Sequence, residues 1–205
     1  MLKALHYSKE LLRTLTNRFS SGTFIDATLG KGNDLISILL NPVFTGKVYG
    51  FDIQKEAIEL SQNAINTHNF AGSYQLINDS HENLASYLPD TVEIHGAIFN
   101  LGYLPGGDHD ITTQASSTKK AILEIRRRLV QHGQIIIVVY SGHPAGKLEK
   151  EELFNFLSEF PQEEFQVLQY EFINQRNNPP MVLIVEKRWH IIQKISLSAI
   201  SIILW

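Results

Sequence analysis

Short apolar runs alternate along this chain with longer stretches in which apolar residues recur every third or fourth position. The first kind fits buried strands and the second amphipathic helices. The pattern predicts helices over 5–19, 33–40, 54–68, 113–130 and 146–160, with a short one over 82–87. It predicts strands over 23–28, 47–53, 74–77, 94–99, 134–140, 165–170 and 181–185. Asn41-Pro42 and Pro161 stop two of the helices, and His132-Gly133 caps a third. The run Ile135-Ile136-Ile137-Val138-Val139 is apolar without alternation, as expected of a strand buried on both faces. Regular strand–helix alternation implies a mostly parallel sheet with helices on both sides. The last two strands adjoin with no helix between them, so an antiparallel hairpin closes the sheet. No repeat or linker interrupts the pattern, and 205 residues suffice for one α/β domain with a full core.

The last fifteen residues, Ile191 to Trp205, are strongly apolar with Lys194 as their only charge. That is shorter than the roughly 20 residues needed to cross a bilayer. The segment is expected to pack on the domain or on a second copy of the chain, so a homodimer is an open expectation. Residues 1–187 are read as the domain and 188–205 as a tail. A net charge of −3 argues against a generally basic nucleic-acid coat, so a polyanionic partner must meet a local patch. The absence of cysteine excludes disulfides and thiolate chemistry and fits a reducing, cytoplasmic setting. The N-terminal residues show no signal peptide.

In an open α/β sheet, ligands bind outside the carboxyl ends of the strands. Glycines and polar residues gather at those ends here. The first offers Asp26, Gly30, Gly32 and Asn33; the second Asp52 beside Ile53; the third Asp79, Ser80 and His81; the fourth Asn100 and the loop after it. Glycines let backbone approach a ligand, and an acid at the end of the next strand can take both hydroxyls of a ribose. That pairing suits a nucleoside cofactor. Asn100 follows a strand, and Gly102, Pro105, Gly106 and Gly107 shape its loop. An amide oxygen there can accept a hydrogen bond from an amine, with a backbone carbonyl of the turn as second acceptor. Together they aim a nitrogen lone pair at an electrophile. The amine must be kept neutral by desolvation, or pass its proton to His81, Asp108 or water. Tyr103, Gly106, Gly107, His109, Arg126 and Arg176 are the candidates for acceptor contact; the arginines, with Lys119, Lys120 and Arg127, would form a phosphate-contacting strip. The histidines and acids lack the spacing of a metal site.

Three segments together carry a resemblance: 26–34 (Asp-Ala-Thr-Leu-Gly-Lys-Gly-Asn-Asp), 50–54 (Gly-Phe-Asp-Ile-Gln) and 100–108 (Asn-Leu-Gly-Tyr-Leu-Pro-Gly-Gly-Asp). They resemble a class I S-adenosylmethionine-dependent methyltransferase family long described as rRNA methylases. The family is associated with methylating 5-aminomethyl-2-thiouridine at the tRNA wobble position. The resemblance covers 1–187. Lys31 stands where the family usually carries a small or polar residue. The resemblance implies a Rossmann-like domain with a seven-stranded, mostly parallel sheet and an antiparallel last strand. It implies S-adenosylmethionine as cofactor, with Asp52 on the ribose hydroxyls. Asp26 and the turn from Gly30 to Asn33 would face its methionine part, Asp79 and Ser80 would lie near adenine, and Asn100 with Leu101 would border it. The Asn100 loop is similar to the Asn-Pro-Pro-Tyr motif of amino-methyltransferases, with Leu101 and Gly102 in place of the prolines. The implied partner is the tRNA anticodon stem-loop. A nicotinamide oxidoreductase would leave the Asn100 loop without a task, and a cofactor-free RNA-binding module would need a broader basic face. A small-molecule or rRNA methyltransferase differs only in its acceptor.

Overall fold

The structure is a computed structural model and describes residues 1–102, 113–142, 144–176 and 178–188. Seven strands form one sheet: β1 (Thr23–Asp26), β2 (Lys47–Phe51), β3 (Ser73–Ile77), β4 (Ile94–Leu101), β5 (Leu129–Val139), β6 (Phe165–Tyr170) and β7 (Met181–Lys187). Their order is β3-β2-β1-β4-β5-β7-β6. The first five are parallel, and β7 runs antiparallel to both β5 and β6. The expected seven-stranded sheet with its antiparallel hairpin is therefore present. The helices are α1 (Ala4–Arg18), α2 (Asn33–Leu39), α3 (Lys55–Ile65), α4 (Ala115–Arg128) and α5 (Pro144–Ser158), with a 3-10 turn at His81–Ser86.

Alternation along the strands divides the core into two layers. Phe24, Val48, Ile98, Ile136, Val182 and Ile184 face α1 and α2. Ile25, Phe51, Phe99, Ile135, Ile137 and Val139 face α4 and α5. Helix α1 joins the first layer because Ala4, Ser8, Leu12 and Leu15 recur at helical spacing along one buried stripe. Each fully buried aliphatic or aromatic side chain contributes about 1.5–3 kcal/mol.

Helix α4 departs from the pattern. Its apolar periodicity runs on to residue 130, yet the helix stops at Arg128 and β5 begins at Leu129. Leu129 pairs with Ile94, and the ladder slips between Ile94 and Gly96, where His132 takes a left-handed φ of 61°. His132-Gly133 thus lies inside an irregular strand rather than capping a helix. Pairing of Leu129 in the sheet, together with its burial, outweighs the helical preference of the sequence around it. Arg128 is buried at the turn, where its guanidinium donates to the carbonyls of Leu88 and Pro89 and pairs with Asp90 and Glu124. No helix among the described residues is long and apolar enough to cross a membrane.

Candidate active site at the strand carboxyl ends

Strand order reverses between β1 and β4, which opens a crevice at their carboxyl ends. The first turn, after β1, is built on two left-handed glycines, Gly30 at φ 53° and Gly32 at φ 76°. A Cβ on Gly32 would also lie 2.9 Å from Ser61 Oγ, whose hydroxyl donates to the Gly30 carbonyl. Gly32 is the N-cap of α2 and has no side chain to offer the helix's free N–H groups. Asp26 supplies that cap from β1: its carboxylate accepts the N–H of Leu35 at 3.1 Å and that of Thr28 at 3.4 Å. With 1% exposure, Asp26 shapes the turn from beneath. Its carboxylate points inward to the helix N-terminus and does not line the cavity. Asn33 is exposed at the first helical position, Gly32 is buried, and Leu101 is buried in the core; none of the three lines the crevice.

Asp52 closes the turn from the other side. One carboxylate oxygen accepts the Gly30 N–H and the other the Gln54 N–H, both at 2.9 Å. Asn78 holds the same corner by donating to the carbonyls of Asp52 and Ile53. A cavity of about 360 Å³ opens here. Gly30, Phe51, Asp52, Ile53, Asp79 and Ser80 line one half of it. Ser80 caps the 3-10 turn, and Asp79 accepts from Asn83, Tyr87 and Ser80, bonds that hold its carboxyl below the usual range. A second cavity, of about 270 Å³ between α5 and β6, lies away from the strand ends and is lined by no titratable side chain.

Thr28, Asn100, Gly102, Thr113, Gln114 and Ser117 line the other half of the site cavity. The Asn100 N–H donates to Thr28 Oγ1 at 2.6 Å, and its side-chain amide donates to Asp34 Oδ2 at 2.7 Å. A carboxylate can only accept, so the amide nitrogen must face Asp34 and Oδ1 keeps its acceptor capacity. Burial pushes the Asp34 carboxyl up, against the opposing pull of Asn100 and the Lys9 charge. Burial also pushes Asp26 up, with Asp34 and Asp52 as neighbouring charges. The carboxylates of Asp52 and Asp79, which line the cavity, favour a positively charged ligand there.

His81 lines the same cavity and is 8% exposed. Its Nδ1 lies 2.9 Å from the Ala27 carbonyl, so Nδ1 carries the hydrogen and Nε2 the lone pair. Burial lowers its pKa, which keeps the ring neutral. Nε2 is itself buried with no partner. Tyr103, Gly106, Gly107, Asp108 and His109 lie outside the described residues.

Where the chain leaves at Gly102 and returns at Thr113, the two residues are bonded twice: Thr113 N–H to the Gly102 carbonyl at 3.1 Å, and Gly102 N–H to Thr113 Oγ1 at 3.0 Å. The Gly102 carbonyl, a candidate second acceptor for an amine, therefore already holds one hydrogen bond. The Thr113 hydroxyl in turn donates to Glu149 Oε2 at 3.2 Å. Burial drives Glu149 up to about 7, and its Oε1 has no partner. Because the folded pKa is raised, the unfolded chain releases this proton at lower pH than the folded chain. Stability contributed by the neutral carboxyl is present below about 4.5 and is lost as pH rises to about 7. The loss amounts to about 3 kcal/mol. Glu149→Gln is expected to flatten this slope and to raise the denaturation midpoint more at pH 8 than at pH 5. Urea titrations at the two pH values check it; an equal shift at both would show that the ionisation is not responsible.

The arginines were expected beside the site. Arg126 instead lies over the rings of Phe160 and Phe165, at the end of α4 remote from Ser117. Because α4 runs back along the sheet, its last turn reaches the end where β4 and β5 start. Arg127 pairs there with Glu124 and Asp90. Arg176 is exposed in the connection between β6 and β7, at the carboxyl end of β5. Asp34, Thr113, Gln114, Ser117 and Glu149 were not identified as site residues. Asp34 lies in the first turn of α2, and nothing in the sequence joins it to an asparagine 66 positions away.

Comparison with known proteins agrees with this geometry. A family described as "Putative rRNA methylase" matches residues 48–186. A curated relative from Arabidopsis thaliana, named tRNA (mnm(5)s(2)U34)-methyltransferase, chloroplastic, is 33% identical over an alignment of 175 residues that covers 80% of this chain. The chain spans 63% of that relative's length. The structure of a "putative rRNA-methylase" from Clostridium thermocellum superposes with a TM-score of 0.84 at 34% identity, covering 91% of this chain and 98% of its own. A "putative methyltransferase" from Streptococcus mutans, solved in complex with SAH, gives 0.79 at 34% identity, covering 91% and 99%.

Proposed function

This chain belongs to the putative rRNA methylase family of Rossmann-like methyltransferases, and on that premise we propose that it is an S-adenosylmethionine-dependent RNA N-methyltransferase. Its proposed acceptor is the aminomethyl group of 5-aminomethyl-2-thiouridine at the tRNA wobble position. The observation that carries this reading is the Asn100 amide, fixed by Asp34 on a backbone held by Thr28, so that its oxygen stays available to an amine. The Arabidopsis relative's name supports the choice of nucleoside.

The residues present fit the cofactor. Asp52 stands where ribose hydroxyls can share a carboxylate whose two oxygens each hold one backbone N–H, since four acceptor sites are available. The exposed side chain of Ile53 offers an apolar surface to a base, and the Asp52 and Asp79 carboxylates lining the cavity suit a cation. Bound S-adenosylmethionine would supply an activated methyl group. The chain's own part is to hold the amine in line with it and to leave the amine neutral. Asn100 accepts one amine hydrogen and so directs the lone pair. Asp34, whose carboxyl is pushed above its usual range, offers a proton acceptor beside Asn100. The neutral ring of His81 provides a second candidate on the same cavity wall.

Incubation with labelled S-adenosylmethionine and tRNA bearing 5-aminomethyl-2-thiouridine is expected to yield the methylated nucleoside by mass spectrometry. tRNA lacking the aminomethyl group should remain unlabelled. Label in rRNA alone would move the acceptor, and label in free primary amines with no response to tRNA would remove RNA from the reaction.

A further inference from the structure

Most cations of this protein are already committed. Arg13, Lys55, Lys119, Lys120, Arg127, Arg128 and Lys150 form ion pairs. Lys47 and Arg126 sit over aromatic rings, and Lys187 and Arg188 donate to backbone carbonyls. Among the described residues this leaves Lys3, Lys9, Arg18, Lys31, Lys147 and Arg176 without an ion pair or side-chain hydrogen bond, and all six are exposed.

Their distribution is uneven. Tyr170, Val182, Val138 and Asn100 form one row across the sheet. The start of α1 is tied to that row, because Tyr170 donates to the Leu2 carbonyl at 2.7 Å and stacks on Tyr7 at 4.1 Å. Lys3 is therefore level with Asn100. Lys9 lies close enough to Asp34 for its charge to be felt there. Lys31 stands in the glycine turn between Gly30 and Gly32. Lys147 is in the first turn of α5, which follows the carboxyl end of β5, and Arg176 is in the β6–β7 connection at the same end. Only Arg18 lies at the opposite end of the sheet, at the close of α1. The acids at the crevice's other wall, Asp52, Asp79 and Glu82, belong to the β2 and β3 ends. The mouth is thus divided into an acidic wall on the β2–β3 side and the uncommitted cations Lys3, Lys9, Lys147 and Arg176 on the side of α1, β5 and β7, with Lys31 in the turn between them.

We propose that Lys3, Lys9, Lys31, Lys147 and Arg176 form the face that holds the phosphates of the RNA, and that the arginines of α4 take no part in it. The inference rests on the RNA reading given above. Uncommitted cations can release a polyanion's counterions without first breaking an ion pair, so they dominate phosphate binding. The division of the mouth also seats the polyanion away from the acids, next to Asn100. A local face of this kind reconciles an RNA acceptor with the chain's net charge of −3.

The test is the salt dependence of binding to a synthetic anticodon stem-loop. The full chain should bind with a log–log slope no steeper than about −4, since few cations are available. The variant Lys9→Ala/Lys31→Ala/Arg176→Ala should flatten it by about 2. Arg18→Ala/Lys47→Ala, at the far end of the sheet, should leave the slope as it is. Cofactor titration on the same samples reports whether the Lys31 turn is intact; if it is not, Lys9→Ala/Arg176→Ala gives the comparison, with a flattening of about 1 to 2. A parental slope in these variants while RNA is still bound and methylated overturns the inference and leaves the RNA reading standing. So does a flattening produced by Lys120→Ala/Arg127→Ala. A parent chain that neither binds nor methylates RNA removes the RNA reading, and this face with it.

Discussion

Replacing Asn100 by alanine is expected to lower methyl transfer about 100-fold at saturating cofactor, the scale on which loss of alignment slows a reaction. Cofactor affinity should change only a few-fold, because the amide's proposed work is on the acceptor in the transition state. The structure sharpens this expectation. The backbone N–H of Asn100 is held by Thr28 Oγ1 and its side-chain amide by Asp34 Oδ2, so its oxygen is a placed acceptor rather than a mobile one. Alanine keeps the backbone bond to Thr28 and removes the side-chain amide, with both its acceptor oxygen and its bond to Asp34. Asn100→Asp keeps an oxygen but sets a second carboxyl against Asp34, whose own carboxyl is already pushed up by burial. That variant should recover activity only as pH falls and one carboxyl of the pair is protonated. Single-turnover transfer of labelled methyl measures both effects. A near-parental rate for Asn100→Ala would reduce Asn100 to a turn residue.

Asp52→Ala is expected to weaken S-adenosylmethionine binding by about 2–3 kcal/mol, the range for hydrogen bonds to a charged group. This corresponds to about a 30- to 150-fold rise in Kd. Two losses add here. The carboxylate no longer meets the ribose, and the Gly30 and Gln54 N–H groups lose their partner, so the glycine turn is released. Asp52→Asn should also be poor, because one of those N–H groups would face an amide that donates. Calorimetric titration decides the matter. Unchanged affinity in Asp52→Ala, or tighter binding of a nicotinamide nucleotide by the parent chain, would falsify the assignment of this carboxylate to the cofactor's ribose.

Much of the fold is legible in the sequence because its signals are local. The strands of continuous Ile and Val, the three-to-four spacing in α1, and the glycines and acids at strand ends each report on their own segment. The observed sheet has the seven strands and the closing antiparallel hairpin that this pattern predicts. Element ends were less legible. Helical spacing carried α4 to residue 130, but pairing of Leu129 with Ile94 stopped it at Arg128.

The side-chain chemistry divides along the same line. The sequence alone determined the layered α/β domain, the gathering of polar residues at one sheet edge, and the pairing of a glycine turn with Asp52. Each is a property of neighbours in the chain or of strand ends that the fold class brings together. Only the tertiary structure decided that Asp26 caps α2 from beneath, that Asp34 fixes the Asn100 amide, and that Thr113 and Glu149 secure Gly102. It also decided which cations are committed: the arginine run of α4 reads as a basic strip, but the direction of that helix carries it to the far end of the sheet among Glu124, Asp90, Phe160 and Phe165. A charge's availability depends on what lies across from it in space, and residues tens of positions apart in the chain supply that partner.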